Sequence, residues 1–97
     1  MIKFANTEKI VGVYVKTDRM CVSFYAPKMH YDCINKMIAL GEEPPIKGEE
    51  GFVTNLRTYL PRRDAAKLAL KNGQVEKLSK PPNLYWEDLW ESEHEVE

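Results

Sequence analysis

The first strongly patterned stretch is Ile10-Val11-Gly12-Val13-Tyr14-Val15, where β-branched and aromatic residues alternate with their neighbours. Successive side chains of a strand point to opposite faces, so residues 10–15 read as a strand. Lys16-Thr17-Asp18-Arg19 is a polar turn. Met20-Cys21-Val22-Ser23-Phe24-Tyr25 then reads as the returning arm of a hairpin, ended by Pro27. From residue 31 the period lengthens. Ile34, Met37 and Ile38 fall at i, i+3 and i+4, which predicts a helix over 31–40 with Gly41 as its C-cap. Pro44-Pro45 and Gly48 make 42–50 a loop. Residues 51–55 and 58–60 are short extended segments. Pro61 suits the first position of a second helix, where its missing N–H costs nothing. Ala65, Leu68 and Ala69 form one face of that helix, over 62–72, and its alanines permit close approach to a sheet. Gly73 closes it. Lys80-Pro81-Pro82 reads as a stiff linker, and residues 84–90 end the folded part. Alternation followed by helical period predicts an α+β fold, a small antiparallel sheet with two main helices, in one domain over 1–90.

The chain has 97 residues, 43% of them apolar and 30% charged. Such a length buries only a thin core, so a homo-oligomer is expected, with the Trp86 and Trp90 ending as added apolar surface. No apolar run is long enough to span a membrane, and the first residues lack a signal-peptide core, so the expected location is the cytoplasm. Cys21 and Cys33 show no metal or redox spacing and are expected to be two buried thiols. The net charge of −1 hides an asymmetry. There are 14 basic and 15 acidic residues in all; six acids and no Lys or Arg lie in 87–97, so residues 1–86 keep nine acids against 14 bases, a formal +5. The body is basic and residues 91–97 form an acidic tail. That balance is too mild for duplex DNA and suits a small polyanion.

Three of the four arginines, Arg57, Arg62 and Arg63, bracket Pro61 at the start of the second helix. A helix N-terminus carries partial positive charge, so cations there are unfavourable by roughly 0.3–1 kcal/mol each. An anion held by free backbone N–H groups and guanidinium forks would compensate; the alternative is that all three point into water. His30, just before the first helix, has no nucleophile or acid at a catalytic spacing and reads as a hydrogen-bonding group lining a pocket. Phe52, Tyr59, Tyr85, Trp86 and Trp90 lie near the arginines. Flat rings can stack on a nucleobase, although Phe52 and Tyr59 read better as core. The candidate ligand set is Arg57, Arg62, Arg63, His30, Asn55 and Tyr59. Nothing in the sequence has the spacing of a catalytic pair, a metal site or a cofactor motif.

Gly51-Phe52-Val53-Thr54-Asn55, then Tyr59-Leu60, Arg62, Ala65-Ala66, Ala69 and Gly73-Gln74, resemble a phage pattern: GFxT, an Arg-Phe-Val-Asp-Arg-like stretch, an alanine-bearing helix and Gly-Gln. The ending Leu84-Tyr85-Trp86-Glu87-Asp88-Leu89-Trp90 looks like that pattern's LYSEDLW, and Met29-His30-Tyr31-Asp32-Cys33-Ile34 is similar to its RH-x-x-I element. The family is a set of small phage proteins that includes the first-described type of Thoeris anti-defence protein, a sponge for cyclic ADP-ribose isomers. The resemblance implies an oligomeric α+β protein that sequesters a nucleotide immune signal without cleaving it. It also implies that Arg62 matches the second of two phosphate-holding arginines. Thr58 stands where the first would be, with Arg57 one residue earlier; Pro61 replaces an Asp; Lys28 or Met29 stands where the pattern's Arg-His would be. These departures leave room for a cyclic di- or trinucleotide as ligand.

The leading expectation is therefore a phage anti-defence sponge for a cyclic nucleotide or cyclic ADP-ribose-type molecule, with no duplex nucleic acid or membrane as partner. The competing reading is an inhibitor of a host defence protein acting through the acidic, Trp-bearing C-terminus. A nucleotide-cleaving enzyme is the third, and it lacks a base–nucleophile pair.

Overall fold

The computed structural model describes residues 7–89. Strand β1 (Ile10–Lys16) and strand β2 (Cys21–Tyr25) form the predicted hairpin; helix α1 (His30–Ala39) follows. Strands β3 (Glu49–Thr54) and β4 (Tyr59–Pro61) make a second hairpin, then comes helix α2 (Arg62–Lys71), and a single 3-10 turn, Trp86–Asp88, ends the described chain. The sheet order is β2-β1-β3-β4 and every neighbouring pair is antiparallel. This is an α+β fold, a four-stranded antiparallel sheet with two helices.

The register sorts the side chains. Val13 faces Phe24 on one side and Phe52 on the other, while Tyr14 faces Ser23 and Gly51. Val13, Val15, Phe52 and Leu60 therefore share the face on which the helices lie. There they meet Cys33 and Met37 of α1 and Ala65, Leu68 and Ala69 of α2 in one core. The three α2 residues are almost wholly buried, as the small alanine side chains require for close helix–sheet contact. α1 covers β1 and β2; α2 covers β3 and β4. The opposite face carries Cys21, Ser23, Tyr25, Gly12, Tyr14, Val53 and Tyr59 and, among the described residues, has no helix over it.

Local chemistry sets the ends of the helices. The Asp32 carboxylate accepts the Met29 N–H at 2.7 Å, tying the entry of α1. Gly41 and Gly73 follow the two helices at φ 110° and 82°, a conformation that costs glycine little. Pro61 is not the first helical residue: it is the N-cap of α2 and the last residue of β4, with φ −58° and ψ 164°. Its backbone stays extended because Pro61 still pairs with Gly51. α1 starts one residue before the expected 31, and β3 begins at Glu49, inside the expected loop 42–50. Lys80-Pro81-Pro82 is a turn closed by a bridge between Lys80 and Asn83, not a linker. It folds the chain back so that Leu84 is wholly buried and Trp86 packs on the core. Trp90 and the acidic tail lie outside the described residues.

The start of β1 is fixed by a side chain. Ile10 N–H donates to Gln74 Oε1 at 2.8 Å, and Gln74 Nε2 donates to the Ile10 carbonyl at 3.0 Å. Gln74 thus pairs with one residue's backbone as a neighbouring strand would, where the ladder shifts register between Ile10 and Gly12.

Candidate functional site

The helix-free face of the sheet holds a cleft of about 450 Å³ lined by Ser23, Phe24, Tyr25, Val53, Thr54, Asn55, Arg57 and Tyr59. That is in the usual range for a small-molecule site. Between the two strands that line it, β1 carries Gly12 opposite both Tyr25 and Val53. A Cβ at Gly12 would come within 2.3 Å of the Phe24 carbonyl and 3.0 Å of Val53. Tyr25 and Tyr59, residues 71% and 48% exposed, wall the cleft. Ser23 Oγ and the Tyr59 hydroxyl stand 3.5 Å apart. Tyr59 also lines a second hollow of about 440 Å³ with Tyr14, Lys16, Cys21 and Glu49.

Arg57 supplies the positive charge, and its placement is enforced. It sits in the β3–β4 turn at φ 65°, the one non-glycine residue of positive φ among the described residues. The Thr54 hydroxyl organises this turn, accepting the Leu56 and Thr58 N–H groups at 3.2 and 3.1 Å and donating to the buried Glu8 carboxylate at 2.6 Å. Arg57 N–H donates to the Thr54 carbonyl at 2.9 Å. A left-handed conformation at a long side chain is uncommon and is held by its surroundings. Asn55 serves the scaffold as well as the rim: its Oδ1 accepts the Lys9 N–H and its Nδ2 donates to the Thr7 carbonyl.

The other candidates lie elsewhere. Arg62 is directed to the helix side of the sheet, where its guanidinium donates to Glu50 at 2.6 Å and to the Leu84 carbonyl at 3.0 Å. It lies 4.6 Å from the centre of the Tyr85 ring and 5.8 Å from that of Phe52, with 18% of its side chain exposed. Its fork is engaged by its own chain. Arg63 lines a shallow groove with Ala66, Lys67, Leu70, Leu78 and Pro82. The three arginines, close in sequence, thus occupy three places.

His30 is buried against the edge of Phe52, with Nε2–H donating to the Gly51 carbonyl at 2.8 Å. Its Nδ1 is buried with no hydrogen-bond partner among the described residues. Burial, together with the charge of Arg62, lowers its pKa, against the opposing pull of the Gly51 carbonyl and of Glu50 and Glu87. It is therefore a neutral packing and hydrogen-bonding residue.

Two residues escaped the sequence reading. Tyr14, wholly buried on the helix-free face, donates its hydroxyl to Glu49 and meets Tyr59 edge-on at 5.2 Å. Burial and the Glu49 carboxylate push its pKa upward. Its ring lies over Gly51, where a Cβ would come within 2.6 Å of it. The alternation of residues 10–15 places Tyr14 on that face but cannot show that a ring will fold down over a glycine in another strand. Cys21 is the second. It is exposed, not buried as expected, because β2 is an edge strand and Cys21 lies on its helix-free face. Cys33 is buried, and burial pushes its thiol up to about 12. Phe52 is core as expected; Tyr59, also expected as core, is half-exposed for the same reason as Cys21.

Among the described residues no group of three or more His, Cys, Asp or Glu is placed to hold a metal ion, and no helix is long and apolar enough to cross a membrane. No curated protein and no solved structure matches the chain. A family model does, over residues 3–90, nearly the whole sequence: the chain belongs to the phage T4 y16D protein family.

Proposed function

We propose that this phage protein binds and sequesters a cyclic nucleotide immune signal, a cyclic ADP-ribose isomer or a cyclic oligonucleotide, without cleaving it. This is the sponge activity implied by its likeness to the first-described Thoeris anti-defence type. The observation that carries the reading is the cleft on the helix-free face, which Arg57 lines together with Tyr59 and Tyr25. A nucleotide needs those two features: a flat surface for a base, worth roughly 1–3 kcal/mol per base, and a fork that can chelate phosphate oxygens. The site is assigned to Arg57, Tyr59, Tyr25, Ser23 and the rim at Asn55. Arg62 and His30 support the sheet beneath it. The chemistry of the cleft is recognition: its described groups are hydroxyls, an amide, a guanidinium and rings, with no general base poised on a nucleophile.

The test is calorimetric titration with a panel of cyclic dinucleotides, cyclic trinucleotides and cyclic ADP-ribose isomers, followed by heat release and analysis of what comes off. Release of intact ligand is the expected result. Release of fragments would make the protein an enzyme. Failure of the whole panel to bind would end the nucleotide reading.

A further inference from the structure

We propose that β2 is a self-pairing edge, so that two copies of this chain join β2 to β2 in antiparallel fashion about Ser23 and form one continuous eight-stranded sheet. The inference stands on the backbone of β2 and does not rest on the nucleotide reading.

The two edges of the sheet are built differently. On the β4 side the strand is three residues long and ends on Pro61, which has no N–H to offer. A short strand with a proline is a common way to block edge pairing. On the β2 side the strand is Cys21-Val22-Ser23-Phe24-Tyr25, with neither a charge nor a proline. Among the described residues no strand pairs with its outer side.

Parity shows which groups that edge presents. Ala26 N–H donates to the Val11 carbonyl at 2.8 Å, and Thr17 N–H donates to the Met20 carbonyl at 2.8 Å. In an antiparallel pair the hydrogen-bonded positions alternate. In this register residues 20, 22, 24 and 26 turn their backbone toward β1, so Cys21, Ser23 and Tyr25 turn theirs outward. One carbonyl of that set, on Tyr25, also accepts the Lys28 N–H at 3.1 Å.

A two-fold axis at Ser23 matches this set with itself. Ser23 exchanges two hydrogen bonds with the partner's Ser23, and Tyr25 N–H reaches the carbonyl of the partner's Cys21. The side chains match as well. On the helix-free face two serine hydroxyls meet at the axis, and bulky Tyr25 lies beside the partner's Cys21. On the helix side Val22 lies opposite the partner's Phe24, a favourable β-branched–aromatic pair. No like charges oppose each other. A second copy of the chain therefore satisfies the whole edge by one symmetric contact. Because Ser23 and Tyr25 also line the Arg57 cleft, the partner's Cys21 side chain would stand at its Tyr25 wall.

The register makes the test specific. Ser23→Cys would place two thiols opposite each other at about 5.5 Å between Cα atoms, within disulfide reach. Tyr25→Cys would face the partner's Cys21 at a similar distance. The native Cys21 would lie roughly 13 Å along the strand from the partner's Cys21, too far to bridge. Full-length protein without nucleotide should sediment as a dimer. Under mild oxidation Ser23→Cys and Tyr25→Cys should form covalent dimers while the unsubstituted chain does not. Ser23→Pro, which removes an outward N–H and leaves the backbone bonds to β1 in place, should sediment as a monomer. A chain that is monomeric at all micromolar concentrations would overturn the proposal. So would a dimer in which neither cysteine variant cross-links, or one in which the native Cys21 does. If Ser23→Pro fails to fold, the two cysteine variants decide the question alone.

Discussion

Arg57 occupies a backbone conformation in which glycine or asparagine would be less strained, at φ 65°. That choice separates fold from function at one position. Arg57→Asn tolerates the same conformation and removes the guanidinium. The expected outcome is a stability within about 1 kcal/mol of the parent, with nucleotide affinity down on the order of tenfold or more, since charge-assisted hydrogen bonds are worth roughly 1.5–3 kcal/mol. Thermal melts beside calorimetric titration check both halves; retained affinity would remove Arg57 from the site. Arg62→Ala should behave in the opposite way. It deletes an ion pair, a bond to the Leu84 carbonyl and the packing against Tyr85, so a loss of roughly 1–3 kcal/mol in stability is expected. His30 adds a pH dependence. Its pKa is lowered in the fold, so the unfolded chain binds more protons. The contribution of neutral His30 is complete above its ordinary value near 6.5. It is lost as pH falls through that value toward the lowered one. Denaturant melts from pH 8 to 5 should show stability falling at the acid end more steeply in the parent than in His30→Gln.

At the scale of elements, periodicity and punctuation carried most of the fold. The alternation of residues 10–15 and 20–25, the i, i+3, i+4 spacing of Ile34, Met37 and Ile38, and the glycines after both helices all correspond to observed elements. Where each arginine would point was not legible. Proximity in sequence suggested one anion site for Arg57, Arg62 and Arg63. A β-turn, a strand end and a helix start intervene within those seven residues, and they send the side chains to both faces of the sheet and to the outside of α2. Gln74 shows the same limit. The Gly73-Gln74 pair was visible as a motif, yet its work is long-range: it satisfies the backbone of Ile10, 64 positions away. Gln74→Ala leaves a part-buried N–H and C=O unsatisfied, which should destabilise the protein by roughly 1–3 kcal/mol. It should also speed hydrogen exchange at the Ile10 amide well beyond that of the centre of β1. Exchange unchanged at Ile10 would show that another group takes over.

For the whole molecule, the thin core and the unblocked β2 edge point to the same answer. A four-stranded sheet covered by two ten-residue helices buries little for its length. Joining two such sheets at β2 extends the hydrogen-bonded ladder through both copies, so folding and association become linked. For a folded dimer that unfolds to two separate chains, each tenfold rise in protein concentration adds about 1.4 kcal/mol per dimer to stability by mass action. In chains of this size that corresponds to a rise of roughly 3–5 °C in Tm. The unsubstituted protein should therefore melt higher as it is concentrated from about 1 to 100 μM. Ser23→Pro, with its edge blocked, should melt lower and at a temperature independent of concentration. Ser23 also lines the Arg57 cleft, so the melts, and not nucleotide affinity, are the readout for this variant. A parent whose Tm stays fixed over that range would separate folding from association and count against the β2 seam.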